Sequence, residues 1–141
     1  MVTVQNPKRQ RFATKKPAKP KRRKEWELQA AIIAKFHELE SQGWPFTCAG
    51  DQNAARRGFK AAAIAKITGM TAGEPDIRVY LPGAKIGLIE LKAEDGELSK
   101  AQEARHKRLN ELGHYVFLLQ ADNDNDAVDG AVGILKGMLE K

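Results

Sequence analysis

One cysteine, few aromatics, no long apolar run and no zinc-type histidine spacing mark this 141-residue sequence. A lone Cys48 cannot close an internal disulfide, so a reducing, cytoplasmic setting is expected. Cys48 lies in the apolar stretch PFTCAG and reads as a small buried core residue. No apolar run approaches a membrane span, so no membrane partner is expected. MVTVQNPKRQ has no apolar segment after its charges, which argues against a secretory signal. His37, His106 and His114 are too far apart for a zinc site and read as surface or phosphate-contact residues.

Acidic residues are missing from one region only. Residues 1–24 hold ten Lys or Arg and no acid, so the other fourteen bases face all eighteen acids, a net of −4. The basic character therefore belongs to the tail. Rich in charge and proline and poor in large apolar side chains, the tail cannot offset its ordering entropy by burial, and disorder is expected. A mobile polycation suits nucleic-acid phosphates, because binding releases counterions. The segment from 25 to 141, with apolar residues at 42% of the whole chain, has enough for one core.

Within that domain, Leu28, Ile32, Phe36 and Leu39 recur at helical spacing, predicting a helix over 25–42 that Gly43 ends. WPFTCAG (44–50) reads as a strand, and KAAAIAKI as a turn of helix. A hairpin follows, with strands 77–81 and 85–92 around Pro82-Gly83-Ala84. A helix over 99–112, a strand over 115–120 and a helix over 126–139 complete the order αβ(α)ββαβα. The helix between the second hairpin strand and the strand at 115–120 asks for parallel pairing, while the hairpin is antiparallel. The expected fold is α/β, a mixed β-sheet flanked by helices. DNDND (122–126) lacks the glycine and terminal glutamate of a calcium loop and reads as turn and N-cap residues.

The hairpin's ends carry the chemistry. With a three-residue loop, Leu81 pairs with Lys85, and counting back sets Asp76 across from Glu90. Such pairs have Cβ atoms about 4.5–5.5 Å apart. Two carboxylates so placed repel unless a positive group sits between them or one keeps a proton. Glu90 and Lys92 share a face of their strand. Lys92 is one candidate partner, in a plain salt-bridged hairpin end. A hard divalent cation, Mg²⁺ or Mn²⁺, is the other. Two carboxylates, a cation and a lysine can hydrolyse a phosphodiester.

The stretch GEPDIRVYLPGAKIGLIELKAEDGELSKAQEARHKRLNELGHYVFLL resembles the VRR-NUC domain of the PD-(D/E)xK nuclease superfamily. The matching pieces are Gly73-x-Pro75-Asp76, Ile89-Glu90-Leu91-Lys92, Leu98-Ser99-x-x-Gln102, and Gly113 before an apolar strand. Gly69-Met70-Thr71-Ala72 and the leading helix EWELQAAI also fit, so the resemblance spans roughly residues 25–135 and is closest in kind to stand-alone phage or bacterial members. It implies a restriction-endonuclease-like fold and a metal-dependent DNA endonuclease. It implies Asp76, Glu90 and the Leu91 backbone carbonyl as metal ligands, Lys92 as the catalytic lysine, and Gln102 as a supporting site residue. Ser99-x-x-Gln102 is also a capping box, and both roles can hold.

The resemblance further implies a glutamate on the first helix. Glu25 falls on the face of Leu28, Ile32 and Phe36, whereas Glu27 lies opposite, so Glu25 is chosen. Gln29, one turn on, is a second polar candidate. Stand-alone relatives imply a homodimer acting on branched DNA, with four-way (Holliday) junctions as leading substrate. Arg56-Arg57-Gly58 and the bases Arg105, Lys107 and Arg108 are candidates for DNA contact. Trp26 and Trp44 are expected to pack in a core or interface.

Overall fold

The structure, a computed structural model, describes residues 23–51 and 58–141. The expected disordered tail, apart from Arg23 and Lys24, and the Arg56-Arg57 groove contact lie outside the described residues. Helix α1 (Glu25–Ser41) leads into β1 (Thr47–Gly50), α2 (Phe59–Ile67) and the hairpin β2 (Ile77–Leu81) and β3 (Lys85–Ala93). Then come α3 (Lys100–Glu111), β4 (Val116–Ala121) and α4 (Asp124–Leu139). The expected element order is met throughout.

The four strands lie side by side in chain order. The β1–β2 and β2–β3 pairs are antiparallel, and β3–β4 is parallel. A connection carrying a helix makes the parallel step possible, because α3 returns the chain to the starting edge.

One sheet face is apolar. Leu28, Ile32, Phe36 and Leu39 form the buried stripe of α1, and Ala127, Ala131, Leu135 and Met138 that of α4. Both stripes join Ile77, Val79, Ile89 and Leu91 in one core. Phe36 meets Phe46 edge to face, with ring centroids 5.7 Å apart. Each large apolar side chain buried here stabilises by about 1.5–3 kcal/mol.

Four expectations need adjustment. The strand reading over 44–50 begins only at Thr47. Pro45 has no amide to give a ladder, and the residues beside it turn inward, Phe46 into the core and Trp44 against it. Trp26 does not pack in this chain's core: it is 66% exposed on the outer side of α1. Cys48 is half-buried against the core, where burial pushes its thiol pKa up. The last helix starts two residues early because Asn123 caps it, its side-chain oxygen accepting from the Asp126 amide at 2.8 Å.

Arg23 ties the helical layer together. Its guanidinium bonds both carboxylate oxygens of Asp124, at 3.0 and 3.1 Å, and also pairs with Glu27.

Candidate active site

The hairpin turn fixes everything above it. Gly83 and Ala84 both adopt left-handed backbone conformations, which reverses the chain within residues 82–84. Leu81 then pairs with Lys85, and the register runs to Ile77 opposite Ile89. Extending that register one step past the ladder sets Asp76 across from Glu90, and the Asp76 charge is felt at Glu90. Alternation sends Ile89 and Leu91 into the core and Glu90 and Lys92 to the other face.

That second face is covered by α3. Glu90 is wholly buried and Lys92 is only 8% exposed. Gln102 donates from Nε2 to Glu90 Oε1 at 2.6 Å. The same side chain closes the capping box: its Oε1 accepts from the Ser99 amide at 2.9 Å, and its own amide donates to Ser99 Oγ at 3.2 Å. Gln102 therefore closes the cap and bonds Glu90 in one conformation. The cap fixes the rotamer that reaches Glu90.

Gly73 makes this approach possible. Its φ is +82°, and a Cβ there would lie 2.4 Å from the Ala101 carbonyl oxygen. Only a residue without a side chain lets the first turn of α3 sit against the loop that carries Asp76. Arg105 adds a second tie to this loop, its Nε 2.7 Å from Glu74 Oε2.

Asp76 is held from two directions. Its Oδ2 accepts from the Leu91 amide at 2.7 Å. Its carbonyl accepts from the Asp51 amide at 2.7 Å and lies 3.4 Å from Gln29 Nε2. Gln29 also reaches the Asp51 carbonyl at 3.4 Å, so this α1 residue braces the loop.

Glu25 rather than Glu27 reaches the site. Its Oε1 lies 3.9 Å from Lys92 Nζ and 3.4 Å from the Ala93 amide nitrogen. Glu27 is occupied by Arg23 and the Lys24 amide. Among the described residues, no three His, Cys, Asp or Glu side chains gather closely enough to enclose a metal ion. In this conformation, then, the close carboxylate pair is Asp76 and Glu90, with Glu25 drawn toward Lys92.

Two residues went unrecognised in the sequence. His106 is not a surface residue: its side chain is 12% exposed, with Nε2 3.5 Å from Glu90 Oε2. It lies four residues after Gln102, a spacing that places both on one helix face and was legible as such. Arg78 shares the sheet face of Asp76, and its buried Nε has no hydrogen-bond partner.

The electrostatics record the crowding. Burial, opposed by the Leu91 amide, pushes the Asp76 carboxyl up to about 6, and Glu25 adds to the rise. Burial and then Asp76 push Glu90 up to about 8, against the pull of Lys92. Burial and Lys92 lower the His106 pKa, so the imidazole is neutral at pH 7.

These features fit a hard cation. Glu90 Oε2 is buried without a hydrogen-bond partner. Two carboxylates share a small volume, and the ligand atoms on offer there are oxygens, which suit Mg²⁺ or Mn²⁺. A positive ion would relieve both the desolvation and the mutual repulsion of Asp76 and Glu90.

A four-stranded mixed sheet between helices, with acids at the open hairpin end, is a restriction-endonuclease-like α/β architecture. No family model matches the chain, and no curated protein does. Solved structures do match. One, described as a VRR_NUC domain protein, is 19% identical, with 82% of this chain and 88% of that chain covered and a TM-score of 0.59. Another, described as a VRR_NUC domain, is 18% identical over 79% of this chain and 94% of that chain, with a TM-score of 0.49. The chain has the fold of a VRR_NUC domain protein, as its motifs imply.

Proposed function

We propose that this chain is a Mg²⁺- or Mn²⁺-dependent DNA endonuclease. The observation that carries this reading is the placement of Asp76 opposite Glu90 with Lys92 on the same face. In a protein without a cation, both acids are held at a protonation cost. Asp76, Glu90 and the Leu91 carbonyl would hold the cation, with Glu25 joining by a side-chain turn away from Lys92. Bound there, a divalent ion polarises a phosphate and lowers the pKa of water.

The chain's own residues supply the rest. Lys92, buried among acids, orients the attacking water and offsets charge that develops on the phosphate. Gln102 holds one Glu90 oxygen. Arg78, on the same face, offers a guanidinium to a neighbouring phosphate. The basic tail adds sequence-independent affinity.

A domain this small has little surface to embrace branched DNA. A two-fold homodimer would set two sites on two strands, and four-way junctions are the substrate this arrangement favours. The contact between Glu25 and Lys92 supports a second reading, a DNA-binding protein whose hairpin end is a structural ion pair.

Cleavage of labelled four-way junction, flap, nicked and linear duplex DNA separates these readings, with Mg²⁺, Mn²⁺ or EDTA and with wild type or Lys92→Ala. Metal-dependent cutting is expected, falling about 100-fold or more in the variant. Paired symmetric nicks at the junction would mark a resolvase, and preferential flap or duplex cutting would move the substrate class. DNA binding without cutting under every condition leaves only the ion-pair reading.

A further inference from the structure

Glu90 has two oxygens, and α3 addresses both. Gln102 Nε2 donates to Oε1 at 2.6 Å. One helical turn on, His106 Nε2 stands 3.5 Å from Oε2. Both Oε2 and this Nε2 are buried, and neither has another hydrogen-bond partner. Two unsatisfied polar atoms facing each other in a buried pocket are unusual, because each is desolvated without compensation. A leucine would fill the same space at no such cost.

We infer that His106 is a positioning residue for the Glu90 carboxylate, its Nε2–H serving Oε2 as the Gln102 amide serves Oε1. A carboxylate gripped at one oxygen can pivot about that bond. A second donor fixes the plane of the group and so the direction in which its remaining lone pairs point. His106 does not touch substrate or cation in this scheme. It acts through Glu90. The inference rests on the nuclease reading, because Glu90 needs a fixed direction only if it holds a cation.

The test uses three full-length variants and two readouts, at one pH. His106→Leu keeps the volume and deletes the donor. His106→Asn keeps polarity but is too short to reach Oε2. His106→Gln places an amide nitrogen near the position of Nε2. Mn²⁺ binding is measured by calorimetry without DNA, and cleavage is measured across a Mn²⁺ titration, with melting curves to verify folding.

In the Leu and Asn variants the Mn²⁺ dissociation constant and the half-saturating Mn²⁺ concentration should rise together by about 10–100-fold. Cleavage at saturating Mn²⁺ should stay near wild type, and His106→Gln should recover most of the affinity. Wild-type Mn²⁺ affinity in folded Leu or Asn protein would overturn the inference alone, leaving His106 as filler. Equal loss in all three variants would overturn the donor role. Wild type that neither binds Mn²⁺ nor cuts DNA would overturn the nuclease reading, and this one with it.

Discussion

The two faces of β3 are built from one nine-residue strand and obey opposite rules. Toward α1 and α4, Ile89 and Leu91 enter a core that only excludes water. Toward α3, Glu90 and Lys92 are almost as deeply buried. There, every polar atom has to be answered, and Gln102, His106, Glu25 and the Leu91 amide are the answers in reach. Burial on the first face stabilises the fold. Burial on the second costs stability, and the cost is concentrated on the groups proposed to hold a cation.

This contrast can be broken from either side. Asp76→Asn should lower cleavage about 1,000-fold or more, yet leave the melting temperature unchanged or higher, because it removes a repelled buried acid. Binding to DNA should survive and strengthen as the negative charge goes. Phe36→Ala is the converse. It should cost about 3–5 kcal/mol in denaturant unfolding, while protein that remains folded keeps its activity per molecule.

Gly73→Ala straddles the two faces. The added Cβ would meet backbone, not a flexible side chain, at a positive φ. A loss of about 2–3 kcal/mol is expected, together with activity, because α3 must back away and carry Gln102 off Glu90. Unfolding and cleavage assays on the same preparation measure both.

A smaller effect comes from pH. The folded pKa values of Asp76 and Glu90, about 6 and about 8, lie above the ordinary carboxylate range. The folded state therefore binds more protons than the unfolded state between about pH 4 and pH 8, and stability contributed by these groups falls as pH rises through that window. Without divalent cation, wild type should melt about 3–6 °C lower at pH 8 than at pH 5.5, and Glu90→Gln should flatten that slope. Mn²⁺ should raise the melting temperature more at pH 8 than at pH 5.5, because protons compete for the same oxygens.

Much of this was legible before the fold was seen. Pro82-Gly83-Ala84 set the hairpin length, and the length set the register that opposes Asp76 to Glu90. The period of Leu28, Ile32 and Phe36 fixed which face of α1 meets the sheet, and with it the choice of Glu25 over Glu27. Ser99 and Gln102 announced their cap. What was missed depended on contacts across long separations. His106 reads as a generic polar helix residue until β3 is placed beneath it. The Gly73 requirement comes from its positive φ and from Ala101, which approaches from 28 positions away, and no local pattern encodes that approach. Trp26 stays out of the core for the opposite reason: its place on α1 turns it outward.

The most direct measurement is Mn²⁺ binding by calorimetry to DNA-free protein at pH 8, for wild type and Asp76→Asn. The pairing of Asp76 with Glu90 predicts a saturable heat in wild type that weakens at pH 6 and is lost in the variant. No saturable binding in wild type, or the same binding in Asp76→Asn, would contradict it.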